Sequence, residues 1–168
     1  ELQKAAIKRA IQIAKDHDIT VVFDVADPFA VNRYRDDFPE LLKTDVDIAF
    51  ANHREAELLF DCSTRTECAA ALGEYVDIRL MKIGKDGSVV IQDGDQHPVP
   101  GRPITAIDST GAGDMFAAGF LAAFAKGHSA EQSARAAGQI GRDRHPHFTF
   151  HFTILPAPFI LTAQGDET

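Results

Sequence analysis

VDIAFANHREAELLF, residues 46–60, decides the fold. VDIAF (46–50) reads as a short strand, and the strand ends at Asn52. REAELLF (54–60) then takes up the spacing of a helix. A strand that runs straight into a helix is the repeating unit of a layered α/β domain. The junction has its own chemistry. Asn52 suits a helix cap, and Glu55 stands where a capping-box carboxylate would reach back to it.

The same alternation extends outward in both directions. Upstream, Leu2, Ala6, Ala10 and Ile13 recur at helical spacing, joined by Ile7, Ile11 and Ala14. ITVVFDV (19–25) follows as a continuous apolar run, as in a parallel strand covered on both faces. DPF breaks that run, and a short helix around Asp36–Lys43 turns Phe38, Leu41 and Leu42 inward. Downstream, TECAAALGE (66–74) reads as a helix with Thr64 or Thr66 as its cap. DIRLMKIG (77–84) is another buried strand, and SVVIQDGDQHPVP (88–100) is a hairpin turning at Asp93-Gly94. There is no internal repeat. The pattern predicts an α/β domain with a mainly parallel sheet. In such sheets ligands sit beyond the carboxyl ends of the strands. Asp24, Asn52, Gly84 and Asp108 all follow predicted strands, so their polar groups should converge on one edge.

Composition narrows the function classes. The 168 residues are 45% hydrophobic and 25% charged, which suits one folded domain with a sizeable core. A net charge of −8 argues against a nucleic-acid or anionic-membrane surface, since phosphate-rich partners need clustered Lys and Arg. No apolar run approaches the roughly 18 residues of a membrane span, and ELQKAAIKRA has no apolar core of a signal peptide. Cys62 and Cys68, spaced C-x5-C, match neither a zinc site nor a disulfide framework. Reduced thiols and a cytoplasmic location are therefore expected.

The richest chemistry lies in DSTGAGDMFAAGF (108–120). Met115, Phe116, Gly119, Phe120, Ala123 and Phe124 form one face of a helix, and the alanines around them predict burial on the others. Lys126-Gly127 stops that helix, and Ser129 with Gln132 opens the next. If the first helix starts within GAGD, the amides of Ala112, Gly113 and Asp114 point outward at its positive end. That makes an anion site suited to phosphate. Asp114 puts a carboxylate beside it, either as plain helix-entry chemistry or as a base for a hydroxyl attacking phosphorus. No G-x-x-x-x-G-K-[ST] loop is present, because Gly84-Lys85 is followed by Asp86.

Taken together, these segments resemble the ribokinase/PfkB carbohydrate kinase family over about residues 1–140. DSTGAGDMFAAGF is close to that family's second signature. ANHREAELL (51–59) matches its N-x-x-E segment, and KIGKDG (82–87) its nucleotide-side strand and turn. VADPFAVNRYRDDF followed by VDIAFANHREAE is most similar to the adenosine-kinase-like, sugar/nucleoside branch. The resemblance implies a ribokinase-like three-layer α/β/α fold and ATP-dependent phosphorylation of a hydroxymethyl on a sugar or nucleoside such as adenosine. It implies Asp114 as general base, with the amides of Gly111, Ala112 and Gly113 holding the transferring phosphoryl charge. It implies Asn52 and Glu55 ordering a hydrated Mg²⁺, with Lys82, Gly84 and Gly87 bordering ATP. Family members often carry Thr or Ser near Lys82. Asp108 and Thr110 match positions that bind a monovalent cation such as K⁺ in some members, and a polar turn explains them equally well.

Two departures qualify that reading. The family's acceptor-binding residues and small β-lid come mainly from an N-terminal half that these residues do not match. The expectation is therefore an incomplete domain, either a kinase whose own turnover is in question or a non-catalytic nucleotide-binding remnant or interaction module. A surface left by the missing half would invite self-association. After SARAAGQ (133–139) the sequence leaves the family pattern, and 141–168 reads as an atypical tail, disordered or from an altered reading frame. Its His145, His147 and His151 fit no recognised metal-ligand spacing.

Overall fold

The computed structural model describes residues 2–101, 111–140 and 160–162. The elements follow the predicted alternation. Helix α1 (Leu2–Asp16) leads to β1 (Val22–Asp24), then α2 (Pro28–Tyr34), α3 (Phe38–Thr44) and β2 (Ile48–Asn52). Helices α4 (His53–Phe60) and α5 (Arg65–Leu72) precede β3 (Ile78–Lys82). A 3-10 turn (Gly84–Asp86) opens the hairpin of β4 (Gly87–Gln92) and β5 (Asp95–Pro100). Helices α6 (Ala112–Phe124) and α7 (Ala130–Ile140) follow, and a short β6 (Ile160–Thr162) comes last.

The sheet order is β5-β4-β3-β2-β1-β6. Strands β1, β2 and β3 run parallel, and β6 joins β1 in parallel with Val22 opposite Ile160. The hairpin is antiparallel to β3. Its turn sits at Asp93-Gly94, both with positive φ (54° and 84°), which matches the right-handed twist of the strands it joins.

Alternation along each strand divides the core into two layers. On one face Phe23, Val25, Ala49, Ala51 and Met81 pack beneath α1 to α5. On the other, Val22, Ile48, Phe50, Leu80 and Val90 pack beneath α6 and α7. The continuous apolar strands are thus explained: every position faces a helix layer. Phe50 of β2 anchors α6 by edge-on contacts with Phe116 and Phe120, at centroid distances of 6.4 and 5.4 Å. Those contacts fix the start of α6 over the carboxyl ends of β2 and β3.

Four local expectations are corrected. DPF is not simply a break, because Asp27 caps α2 by accepting from the Phe29 amide at 2.8 Å and Pro28 occupies the first turn. Helix α6 is buried on one face only, with Ala118 and Ala122 exposed. Its helical stretch ends at Phe124, so Lys126 lies beyond the last turn, while Gly127 supplies the left-handed stop at φ 87°. The cysteines are not free: Cys62 and Cys68 form a disulfide with Cα atoms 5.1 Å apart. Asp61 leaves α4 in the left-handed conformation and turns the chain so that Cys62 meets the first turn of α5. The cysteine argument for a reducing compartment goes with it. Among the described residues no helix is long and apolar enough to cross a membrane. The tail lies outside the described residues except for β6.

Candidate active site

The site is built where β1, β2 and β3 end and α6 begins. Gly111 precedes α6 with φ 73° and ψ 4°, a left-handed conformation that costs glycine little. The first intrahelical bond runs from the Met115 amide to the Gly111 carbonyl at 2.9 Å. Helix geometry leaves the amides of Ala112, Gly113 and Asp114 without acceptors inside the helix. Asp114 is the third helical residue, not the cap, and it is exposed. Among the described residues its carboxylate has no hydrogen-bond or ion-pair partner.

Lys82 ends β3 on the same face of the sheet, with its side chain 15% exposed. Its ammonium donates to both Asp24 oxygens, at 2.8 and 3.0 Å. Asp24 ends β1 and is buried. A Cβ placed on Gly113 would lie 3.4 Å from Lys82 Nζ. The ammonium thus reaches across the β2 end and stands against the first turn of α6. The sequence sets Asp24 at the sheet edge but names no partner or role for it. The available signal was an acidic residue closing a strand that is otherwise wholly apolar, VVFD.

Asn52 and Glu55 form a complete capping box at the start of α4. The Asn52 amide donates to Glu55 Oε2 at 2.6 Å, the Glu55 amide donates to Asn52 Oδ1 at 2.8 Å, and Asn52 Nδ2 donates to Glu55 Oε1. Glu55 is 1% exposed. Burial pushes its carboxyl above the usual carboxylate range, against the opposing effects of the Asn52 hydrogen bond and the nearby Lys82 charge. Among the described residues no cluster of His, Cys, Asp and Glu is arranged to ligate a metal directly. With both Glu55 oxygens already bonded, the Asn52–Glu55 pair fits an ion held through water and not one bound directly.

The two remaining glycine candidates differ. Gly84 begins the 3-10 turn with φ 62°, and a Cβ there would meet nothing within 4 Å among the described residues. Gly87 (φ 108°) abuts β5, where a Cβ would fall 2.1 Å from the Val99 carbonyl oxygen and 2.3 Å from the Gly101 amide. The close approach of two strands therefore demands glycine at 87, with or without a nucleotide. Asp108 and Thr110 lie outside the described residues.

The three-layer α/β domain thus brings a glycine-opened helix N-terminus, the Lys82 ammonium and the exposed Asp114 carboxylate to the edge where its parallel strands end, the place where sheets of this class bind ligands. The chain belongs to the pfkB family of carbohydrate kinases, whose sequence model matches residues 1–142. It is 34% identical over 126 residues to an uncharacterized sugar kinase of Archaeoglobus fulgidus, covering 74% of this chain and 48% of that protein. The adenosine kinase of Sinorhizobium meliloti superposes with a TM-score of 0.77 at 32% identity, covering 83% of this chain and 45% of that one. An E. coli protein assigned as ribokinase II, solved in complex with ATP and Mg²⁺, superposes with a TM-score of 0.70 at 27% identity, covering 83% and 47%. The chain thus spans about half the length of the relatives it matches, and its sheet and helices have the ribokinase-like α/β fold.

Proposed function

We propose that these residues form the phosphate-handling part of an ATP-dependent kinase that phosphorylates a hydroxymethyl of a sugar or nucleoside. The observation that carries this reading is the opening of α6. Gly111 turns the chain so that the helix presents its first amides, and the exposed Asp114 carboxylate, without a partner among the described residues, stands among them. In that arrangement the amides of Gly111, Ala112 and Gly113 stabilise the negative charge of the transferring phosphoryl group. Asp114 accepts the proton of the acceptor hydroxyl as its oxygen bonds to the γ-phosphorus. The bond from that phosphorus to the bridging oxygen breaks, and ADP leaves. Mg²⁺, when bound, would neutralise phosphate charge, and Asn52 and Glu55 would order its water shell. The ATP-bound and Mg²⁺-bound E. coli relative supports ATP and Mg²⁺ as the ligands.

The test has two stages. ATP with Mg²⁺ should raise the melting temperature of the chain in a concentration-dependent way. With adenosine or ribose present, ADP should form, and Asp114→Asn should abolish that turnover while leaving ATP binding intact. Turnover unaffected by Asp114→Asn refutes the base assignment. ATP stabilisation without turnover selects the nucleotide-binding module instead.

A further inference from the structure

The position of Lys82 is electrostatically unusual. A helix N-terminus carries partial positive charge and repels a cation. Yet the Lys82 ammonium stands against Gly113, in the first turn of α6. What holds it there is Asp24, which accepts from Nζ with both oxygens and is itself 4% exposed. Asp24 is fixed in turn, because its Oδ1 also accepts from the Ala26 amide at 3.2 Å. Two positive features, the helix end and the ammonium, therefore converge on one point. Among the described residues the ion-pair partner of the ammonium is Asp24, a carboxylate supplied by the protein.

We infer that Asp24 is a built-in competitor for the phosphate: it occupies Lys82 when no nucleotide is bound and yields the ammonium to the polyphosphate that docks on α6. The inference rests on the phosphate reading of that helix and adds to it a residue that sets nucleotide affinity. The geometry requires only a small movement. Lysine is a flexible point charge with rotatable donors, so Nζ can turn from Asp24 toward an anion on Gly113 without any backbone shift. The cost of the arrangement is affinity, because each phosphate must displace or share a charge-assisted bond already made. The gain is that a half-buried lysine is never left unpaired in the ligand-free protein.

The inference assigns opposite signs to two effects of one substitution. Asp24→Asn should destabilise the free protein, since Lys82 loses its partner. The same change should tighten binding of ATP and of inorganic pyrophosphate by at least about threefold, since the competing carboxylate is gone. A residue that only supports the fold would lower both. Lys82→Met should weaken both ligands by about tenfold. The Asp24→Asn/Lys82→Met double variant, which leaves neither charge unpaired, should bind as weakly as Lys82→Met alone. It keeps the test available if Asp24→Asn does not fold.

Titration calorimetry on the full chain reads all four proteins. If ATP fails to bind the native chain, the phosphate reading itself is refuted and this inference with it. If ATP binds the native chain but Asp24→Asn binds equally or more weakly, this inference alone is overturned. A double variant that binds as well as the native chain overturns it too, because Asp24 would then act independently of Lys82.

Discussion

Asn52 and Glu55 hold each other reciprocally: the Asn52 amide donates to Glu55 Oε2 at 2.6 Å and the Glu55 amide donates back to Asn52 Oδ1 at 2.8 Å. The pair closes the β2–α4 junction with a carboxyl group that is 1% exposed. Burial raises the affinity of that carboxyl for its proton above the usual value near 4.5, and the charges of Asp24 and Asp27 add to the effect. The folded chain therefore holds this proton more tightly than the unfolded chain does. The resulting stability is fully present below the unfolded value and is lost as pH rises through the folded one. Glu55→Gln imitates the protonated form at every pH. The melting temperature of the native chain, relative to Glu55→Gln, should fall as pH increases from about 4.5 into the range above it. A native melting temperature that instead rises relative to Glu55→Gln as pH increases would show that the charged form is the one the fold prefers.

Gly113 offers a way to separate the anion site from the fold. Among the described residues an alanine there has only Lys82 Nζ near its Cβ, at 3.4 Å, and that ammonium can move. Alanine also favours a helix over glycine by up to about 1 kcal/mol. Gly113→Ala should therefore melt at the same temperature as the native chain or higher. Its methyl group stands on the face where phosphate would dock, so the dissociation constant for ATP should rise by about tenfold. Loss of stability with unchanged binding would mean that the glycine serves packing alone.

Gly87 and Gly84 should respond very differently to alanine, although the sequence offers them as equivalent members of KIGKDG. At Gly87 the new Cβ would collide with the backbone of Val99 and Gly101, and φ is 108°. Neither strand can withdraw without breaking the β4–β5 pairing, so Gly87→Ala should cost about 3 kcal/mol or more. At Gly84 the space is open and φ is 62°, so only the left-handed penalty of about 1 kcal/mol remains. Urea denaturation of the two variants measures both. Equal losses would contradict the close strand approach at Gly87.

The parts of the fold legible in the sequence are those written by periodicity. β2 is apolar from Ile48 to Ala51 because both faces are covered, and the Asp93-Gly94 turn needs two positive φ values that few residue pairs tolerate. Helix α2 is hard to see in the sequence because DPF reads as punctuation, although an Asp cap followed by Pro is also how a helix begins. The GAGD opening was legible because glycine and Asp have few reasons to stand together at the start of an apolar helix. The Asp24–Lys82 pair was not, because the two residues are 58 positions apart and meet only when β1 and β3 lie on either side of β2. The disulfide escaped for a related reason. C-x5-C spacing says nothing of the left-handed turn at Asp61 that brings the two sulfurs together.

Arg79 provides the last prediction. It sits in the middle of β3, opposite Ile91 of β4 and Ala49 of β2, and is 8% exposed. Its buried Nε has no hydrogen-bond partner among the described residues. Burial pulls the guanidinium pKa down, and the charges of Asp77 and Asp93 oppose that. A buried donor without an acceptor costs about 1–3 kcal/mol, whereas the aliphatic stem of the side chain packs like any apolar group. Methionine keeps the length of that stem and removes the charge and the unmet donor. Arg79→Met should therefore stabilise the chain by about 1 kcal/mol, while Arg79→Ala, which also removes the stem, should destabilise it. Thermal melts of both variants decide the matter. If Arg79→Met loses stability to the same extent as Arg79→Ala, the guanidinium is held by Asp77 and Asp93 strongly enough to offset its burial, and the charge contributes to the fold.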